Sequence, residues 1–374
     1  MSQSDQKSNS LRIAFMGTRG APALYGGFET AVEEIGARLA DRGHEVTVYC
    51  RNPGQEITQF KGMKLVNLPA IKHRMAETLS HTALSAAHAI TKDRPDVCLL
   101  LNAGNAPLLT PLKLAKIPTA IHLDGLESQR AKWRGLGAKY YTWAEKRAIN
   151  SAQEVIADAQ GIADHVAQTY GRDCWVIPYG AEVLHPPAER LGELSLEKGN
   201  YHLVVSRFEP ENHVYEAVRG YLESETVQPL VIVGSAPYAD GYTDQITQLV
   251  SAHPDRDIRV LGGIFDQDLL NQLYAHASTY IHGHSVGGTN PSLLRAMGCG
   301  APVLAFDCVF NREVTHEQAL FWSNSQQLAA EFDSLEAIQL EEFSVAGRKR
   351  ITDFYQWEKV TDDYEILIKK LAGS

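Results

Sequence analysis

The stretch LRIAFMGTRGAPALYGGFETAVEEIGARLADRGHEVTVYC (Leu11–Cys50) decides the fold. It opens on LRIAFMG (Leu11–Gly17), a short apolar run with β-branched character that stops at a glycine, the pattern of a buried strand. Beyond a glycine-containing loop, Phe28, Val32, Ile35 and Leu39 fall at i, i+4, i+7 and i+11, one stripe of a helix over Phe28–Arg42. Gly43 stands where a helix-terminating glycine belongs, and HEVTVYC (His44–Cys50) reads as the next strand. Strand, helix, strand in this order predicts a βαβ unit. DVCLLL (Asp96–Leu101) and TAIHLD (Thr119–Asp124) are nearly continuous apolar runs, expected as further parallel strands, and EVIADA (Glu154–Ala159) and CWVIPYG (Cys174–Gly180) complete the series.

Ala181–Asn200 interrupts this alternation with two consecutive prolines, several charges and little periodicity. A second series follows: YHLVVSR, PLVIVGS, DIRVLGG, TYIHGH and APVLAFD as strands, with helices such as Asp266–Ser278 between them. Two β/α series of similar length predict an α/β chain of two facing, doubly wound units. The expected boundaries are a disordered polar tail at 1–10, a first domain at 11–185, a linker at 186–200, a second domain at 201–350 and a C-terminal helix at 351–374. Ser344–Leu371 reads as helical throughout, with Phe354, Trp357, Val360, Tyr364, Ile366 and Leu367 approximating a stripe that could pack back on the first domain.

Hydrophobic residues at 44% and charged residues at 21% are the balance of a soluble globular protein. Asp and Glu number 45 against 35 Lys and Arg, and the net charge of −10 argues against nucleic acid as a partner, because the neutralising excess of cations is missing. No apolar run approaches the ~20 residues of a membrane span, and MSQSDQKSNS lacks the apolar region of a signal peptide. Five cysteines without a CxxC pair read as free thiols in a reducing cytoplasm.

Four segments are candidates for chemistry. Gly17–Gly27 lies between the first strand and the first helix, so Gly26, Gly27 and the helix start could receive an anion, with Glu29 in the first turn; the alternative is an ordinary βα loop with Glu29 favourable to the helix dipole. His122 and Asp124 close a strand on one side of it and could bond a sugar hydroxyl or a reacting oxygen; a core histidine and a capping aspartate is the other reading. Arg207, in SRFEPENH (Ser206–His213), is placed as a phosphate clamp, or as a surface partner of Glu209 or Glu211. Gly287, Gly288, Thr289 and Asn290 precede Pro291 at a helix start and make the best anion site in the chain. His282 and His284 lack the neighbours that would complete a metal set. Asp255–Asp257 and Asp266–Asp268 match a DxD pattern but sit in a turn and at a helix cap. P-loop and HExxH motifs are absent from the sequence.

Taken together, GTRGAPALYGGFET, DGLESQRAKW, IADAQGI, IPYGAE, SRFEPEN, GGTNPSLLRAM, FNREV and FYQWEKVTDDY, which span nearly all of residues 11–365, resemble glycosyltransferase family 4, a retaining, metal-independent group of GT-B fold. The chain is most similar to that family's bacterial rhamnosyltransferase-type subgroup. The resemblance implies a nucleoside-diphosphate sugar donor on the second domain, an acceptor on the first, and no metal cofactor. It matches Arg207 to a diphosphate-contacting arginine, Gly288, Thr289 and Asn290 to the donor loop, and Gly26 and Gly27 to a loop near the reacting centre. Asp124 lies where many relatives carry a histidine beside the transferred sugar, with His122 a nearby candidate. The chain departs from the family at three places: Asn212 replaces a lysine, and Gly287 and Arg295 replace two glutamates eight positions apart. Because one cation is lost at 212 and one gained at 295, Arg295 is expected to pair with the donor phosphate. The function implied is sugar transfer, with rhamnose the favoured sugar, to a polysaccharide or lipid-linked glycan precursor of the cell envelope. The setting expected is the cytoplasm, with peripheral contact at the inner face of the membrane where the acceptor is membrane-borne; Arg130, Lys132 and Arg134 are the basic residues for such a contact. Two alternatives are a nucleotide-sugar epimerase on the same fold and a weakly catalytic or non-catalytic relative.

Overall fold

The structure, a computed structural model, describes residues 10–23, 26–51, 57–71, 76–123, 125, 136–234, 240–335 and 337–373. The chain divides into two compact units, Met1–Tyr179 with Trp357–Ser374, and Gly180–Gln356.

The first unit runs β1 (Arg12–Met16), α1 (Gly27–Asp41), β2 (Glu45–Cys50), β3 (Gln59–Phe60), β4 (Met63–Asn67), α2 (Glu77–Thr91), β5 (Val97–Leu101), α3 (Leu109–Leu114), β6 (Thr119–His122), α4 (Leu136–Ser151), β7 (Glu154–Ala157), α5 (Gln160–Tyr170) and β8 (Trp175–Val176). Among the described residues its sheet has the order β3-β4-β2-β1-β5-β6-β7-β8, parallel apart from the β3–β4 pair. The central strands are covered on both faces, so β5 (VCLLL) is buried at every residue and carries no polar alternation. Helix α1 buries Ala31, Val32, Ile35 and Leu39. It ends as the glycine predicts: Gly43, at φ +94°, lets the His44 N–H reach the Leu39 carbonyl at 3.1 Å while its own N–H bonds that of Ala40 at 2.9 Å.

The second unit runs β9 (His202–Val205), α6 (Val214–Glu223), β10 (Leu230–Val233), α7 (Asp240–Ser251), β11 (Ile258–Gly262), α8 (Gln267–His276), β12 (Thr279–His282), α9 (Pro291–Cys299), β13 (Val303–Phe306), α10 (Val309–Thr315), β14 (Leu320–Trp322), α11 (Ser325–Asp333) and α12 (Ala337–Phe354). Its parallel sheet has the order β11-β10-β9-β12-β13-β14. Val204, Val218, Tyr221, Ile232, Ile281, Leu304 and Trp322 fill its core. Residues 186–200, which the sequence suggests as a linker, lie within this unit: Arg190 pairs with Asp266 at 2.7 Å, and Asp266 caps α8 through the Asp268 and Leu269 N–H groups.

The C-terminal stretch is two helices, not one. Helix α12 stops at Phe354, Tyr355 and Gln356 are non-helical, and α13 (Trp357–Ala372) belongs to the first unit. The expected stripe therefore changes: Trp357, Val360, Tyr364 and Leu367 are buried together with Thr361, Ile368 and Leu371, whereas Phe354 and Ile366 are exposed. Helix α13 docks on α1 through Glu358, bonded to Arg38 and Arg42 at 2.9 Å each, and Glu365, bonded to Arg42 at 2.7 Å. Burial works against the Glu365 charge, but hydrogen bonds from Lys369, Arg42 and His44 prevail and hold its carboxyl down to about 2. A depressed carboxyl stabilises the fold above its unfolded value near 4.5 and loses that contribution as pH falls towards 2. Glu365→Gln is expected to lower stability at pH 7 by about 2 kcal/mol and to flatten the acid limb of an unfolding-versus-pH series; an unchanged limb would contradict this.

All five cysteines are unpaired. No helix among the described residues is long and apolar enough to cross a membrane.

Candidate active site

In an open α/β sheet, ligands bind beyond the carboxyl ends of the strands where strand order reverses. In the second unit that reversal lies between β9 and β12. Arg207 follows β9, and the loop Gly283–Asn290 follows β12, so topology brings these two predicted segments together. Arg207 is exposed, with one weak ion pair to Glu209 at 3.4 Å. Its carbonyl accepts the Asn212 Nδ2 hydrogen bond at 2.8 Å, and the Asn212 Oδ1 accepts from His284 Nδ1 at 2.7 Å. Asn212 is itself buried. It thus ties the Arg207 backbone to the loop after β12. Three more bonds join the same two loops: Ser285 N–H and Oγ–H each donate to the Glu211 carbonyl at 3.0 Å, and His213 Nδ1 to that of Gly283 at 2.7 Å.

The loop Gly287–Asn290 is tightly held. Gly287 has φ +136°, a conformation open to glycine, and Gly287, Gly288 and Thr289 are buried. Asn290 caps α9 by accepting from Ser292 N–H at 2.9 Å and Ser292 Oγ–H at 2.7 Å. The helix end therefore offers fewer donors than a bare N-terminus: Pro291 has none and the Ser292 N–H is taken.

Arg295 is engaged through its guanidinium by a neighbouring helix. Its Nε donates to Asn271 Oδ1 at 2.7 Å, its Nη1 to Gln267 Oε1 at 2.7 Å and its Nη2 to the Gln267 carbonyl at 3.0 Å, all on α8, and its guanidinium lies over Tyr274. The expected phosphate pairing gives way to a clamp between α8 and α9. Arg295→Ala is expected to cost about 1–2 kcal/mol of stability while leaving nucleoside-diphosphate affinity unchanged, as calorimetry would show. The two histidines of HGH keep their rings 6.1 Å apart but bond different partners: His282 is buried, beside Tyr280 OH at 3.1 Å and pushed down to about 3 by burial, while His284 bonds Asn212. No group of three His, Cys, Asp or Glu among the described residues is arranged to hold a metal.

In the first unit the reversal lies between β1 and β5. Glu29 Oε1 accepts the Arg19 N–H at 3.0 Å and Glu33 Oε2 the Ala23 N–H at 2.7 Å, so helix α1 pins the loop that leads into it. Gly26, at φ +108°, is the N-cap, and Gly27 opens the helix. His122 is not presented to a ligand. It is buried with its ring 5.0 Å from Phe28 and stacked at 6.5 Å on Tyr364, and burial pushes it down to about 4. The strand ends at His122. Asp124, Arg130, Lys132 and Arg134 lie outside the described residues. Residues that no motif marks also reach this edge: Arg51 directly follows β2 just as Gly17 follows β1, a placement visible in the sequence only as a charge after an apolar run.

Comparison with known proteins fits this architecture. The fold matches sucrose-phosphate synthase from Thermosynechococcus elongatus with a TM-score of 0.82 at 20% identity, over 97% of this chain and 99% of that one. It matches Anabaena HepE in complex with UDP-glucose with a TM-score of 0.78 at 17% identity, over 96% and 99%. Two Rossmann-like units of this kind define the GT-B class of glycosyltransferases. Residues 25–183 match the family model of glycosyltransferase family 4, and residues 200–337 match that of the glycosyl transferases group 1. It is 22% identical over 411 residues to the alpha-maltose-1-phosphate synthase of Mycolicibacterium smegmatis, covering 97% of this chain and 100% of that protein. The protein is a sugar-transferring enzyme.

Proposed function

We propose that the second unit binds a nucleoside-diphosphate sugar, with the diphosphate on Arg207 and the Gly287–Asn290 backbone, and that the sugar passes with retention to a glycan acceptor held by the first unit. The observation that carries this reading is the convergence of an exposed, weakly paired Arg207 with a rigid glycine loop at the point where strand order reverses. Departure of the diphosphate leaves an oxocarbenium-like sugar. A fixed guanidinium and backbone N–H groups stabilise the developing phosphate charge without reorganising. In this reading the leaving phosphate takes the acceptor proton, no metal is required, and Asp124 rather than His122 stands beside the transferred sugar. Gly26, Gly27 and Glu29 border the acceptor side.

The favoured donor is a deoxythymidine-diphosphate rhamnose, and the acceptor a polysaccharide or lipid-linked glycan precursor at the inner face of the membrane. The relative solved with UDP-glucose supports a nucleoside-diphosphate sugar as the class. A thermal-shift panel of dTDP-rhamnose, UDP-glucose and GDP-mannose, with and without EDTA, tests this. A ligand at 100 times its Kd stabilises by about 2.7 kcal/mol. The reading expects one donor to stand out, unaffected by EDTA. No shift with any donor would overturn the site, and a preference for UDP-glucose would overturn rhamnose.

A further inference from the structure

Two buried polar side chains and a half-buried arginine at the carboxyl edge of the first unit's sheet carry unsatisfied atoms at one place. The Arg51 N–H bonds the Arg19 carbonyl at 2.9 Å, which locks the residue to the loop after β1. Its guanidinium makes a long contact with the Gly17 carbonyl, 3.4 Å from Nη2, and its Nε is buried with no partner. Asn105, fully buried after β5, donates from Nδ2 to the Leu101 carbonyl at 2.8 Å, but its Oδ1 has no partner. A Cβ on Gly17 would lie 2.8 Å from Asn105 Nδ2, so Asn105 and Arg51 flank the same turn. His81, on α2, is fully buried with neither ring nitrogen bonded; it stands near the Cys50 carbonyl outside hydrogen-bonding geometry. Burial, with the Arg51 charge adding to it, pushes His81 down to about 4, so its ring is neutral at pH 7.

Buried polar groups are ordinarily bonded, and each orphan carries a desolvation cost that no partner offsets. Four orphaned atoms on three neighbouring residues need a common explanation. They gather at the ends of β1, β2 and β5, where the first unit's own strand order reverses and a ligand crevice is expected. Among the described residues Arg51 has no carboxylate within ion-pair distance; Glu77 and Glu29 act on it only through space, opposed by Arg19. The chemistry required is specific. A guanidinium only donates and wants an anionic oxygen, the Asn105 Oδ1 only accepts and wants a hydroxyl, and a neutral imidazole does one of each.

We infer that this cluster is a subsite for an acidic sugar, with its phosphate or carboxylate on Arg51 and adjacent hydroxyls on His81 and Asn105. The inference rests on the transfer reading and deepens it by giving the acceptor a negative charge. Titration calorimetry on the intact chain, with glucuronate, glucose 6-phosphate, glucose and inorganic phosphate as probes, tests it. The wild type is expected to bind one of the two acidic sugars at least tenfold more tightly than glucose, and which one separates carboxylate from phosphate. Arg51→Met is expected to erase that preference and Arg51→Lys to keep part of it, with nucleoside-diphosphate affinity unchanged in both. Should Arg51→Met not fold, Asn105→Ala carries the same comparison and is expected to weaken the acidic sugar. Equal binding of glucose and the acidic sugars, a preference that survives these substitutions, or inorganic phosphate binding as tightly as both acidic sugars would overturn the subsite. Failure of the wild type to bind any nucleoside diphosphate would instead overturn the transfer reading.

Discussion

Arg207→Ala is expected to reduce kcat/KM for sugar transfer by about 10²–10³, the usual effect of removing a preorganised group aimed at developing charge. Part of that loss belongs to the ground state, because a charge-assisted bond to phosphate contributes about 1.5–3 kcal/mol. Nucleoside-diphosphate affinity should therefore fall by at least tenfold. Stability should hardly change: the side chain is 58% exposed and its ion pair with Glu209 is long and solvated. Arg207→Lys keeps the charge without the planar fork and should fall in between. Initial rates of nucleotide release, read beside calorimetry of the nucleoside diphosphate, check both. Wild-type values in both measurements would take Arg207 out of the site.

Gly283→Ala is expected to damage the second unit severely. An added Cβ would sit 2.2 Å from the Asn212 carbonyl oxygen, 3.0 Å from its carbon and 3.2 Å from His213 Cβ. Two of these are backbone atoms, so no rotamer relieves the clash, and the two loops must part. That separation strains the Asn212 bridge to Arg207 and His284. A destabilisation of about 3 kcal/mol or more is expected, with donor affinity falling even where the variant still folds. Chemical denaturation together with nucleotide titration would show both. A variant of wild-type stability and affinity would mean that the loops are not held as described.

Much of the fold is legible in residues 11–50, because a buried parallel strand leaves a continuous apolar run and an amphipathic helix a 3.6-residue stripe. The terminal stripe misleads for a local reason. Helices α12 and α13 abut with two non-helical residues between them, and a periodicity count runs through so short a gap. The site is less legible. The positions of Arg207 and Gly287–Asn290 follow from strand ends, which sequence shows. Where a side chain turns does not follow: Arg295 finds Asn271 and Gln267 on another helix, and His122 finds Tyr364 more than two hundred residues away. Arg51, His81 and Asn105 come from three separate segments, two beyond strand ends and one on a helix, and only the folded unit brings them near one another.

The assignment of α13 to the first unit has a consequence for biosynthesis. The surface of α1 that receives Glu358 and Glu365, and the ring of His122 that receives Tyr364, are made early on the ribosome. Their partners emerge only after all of Gly180–Gln356 has been translated. The second unit can thus close while the first still shows an unfinished apolar face to the nascent-chain environment, and contacts of such sequence separation form slowly. Chaperone demand during synthesis should fall on the first unit, although its strands are the first to be made.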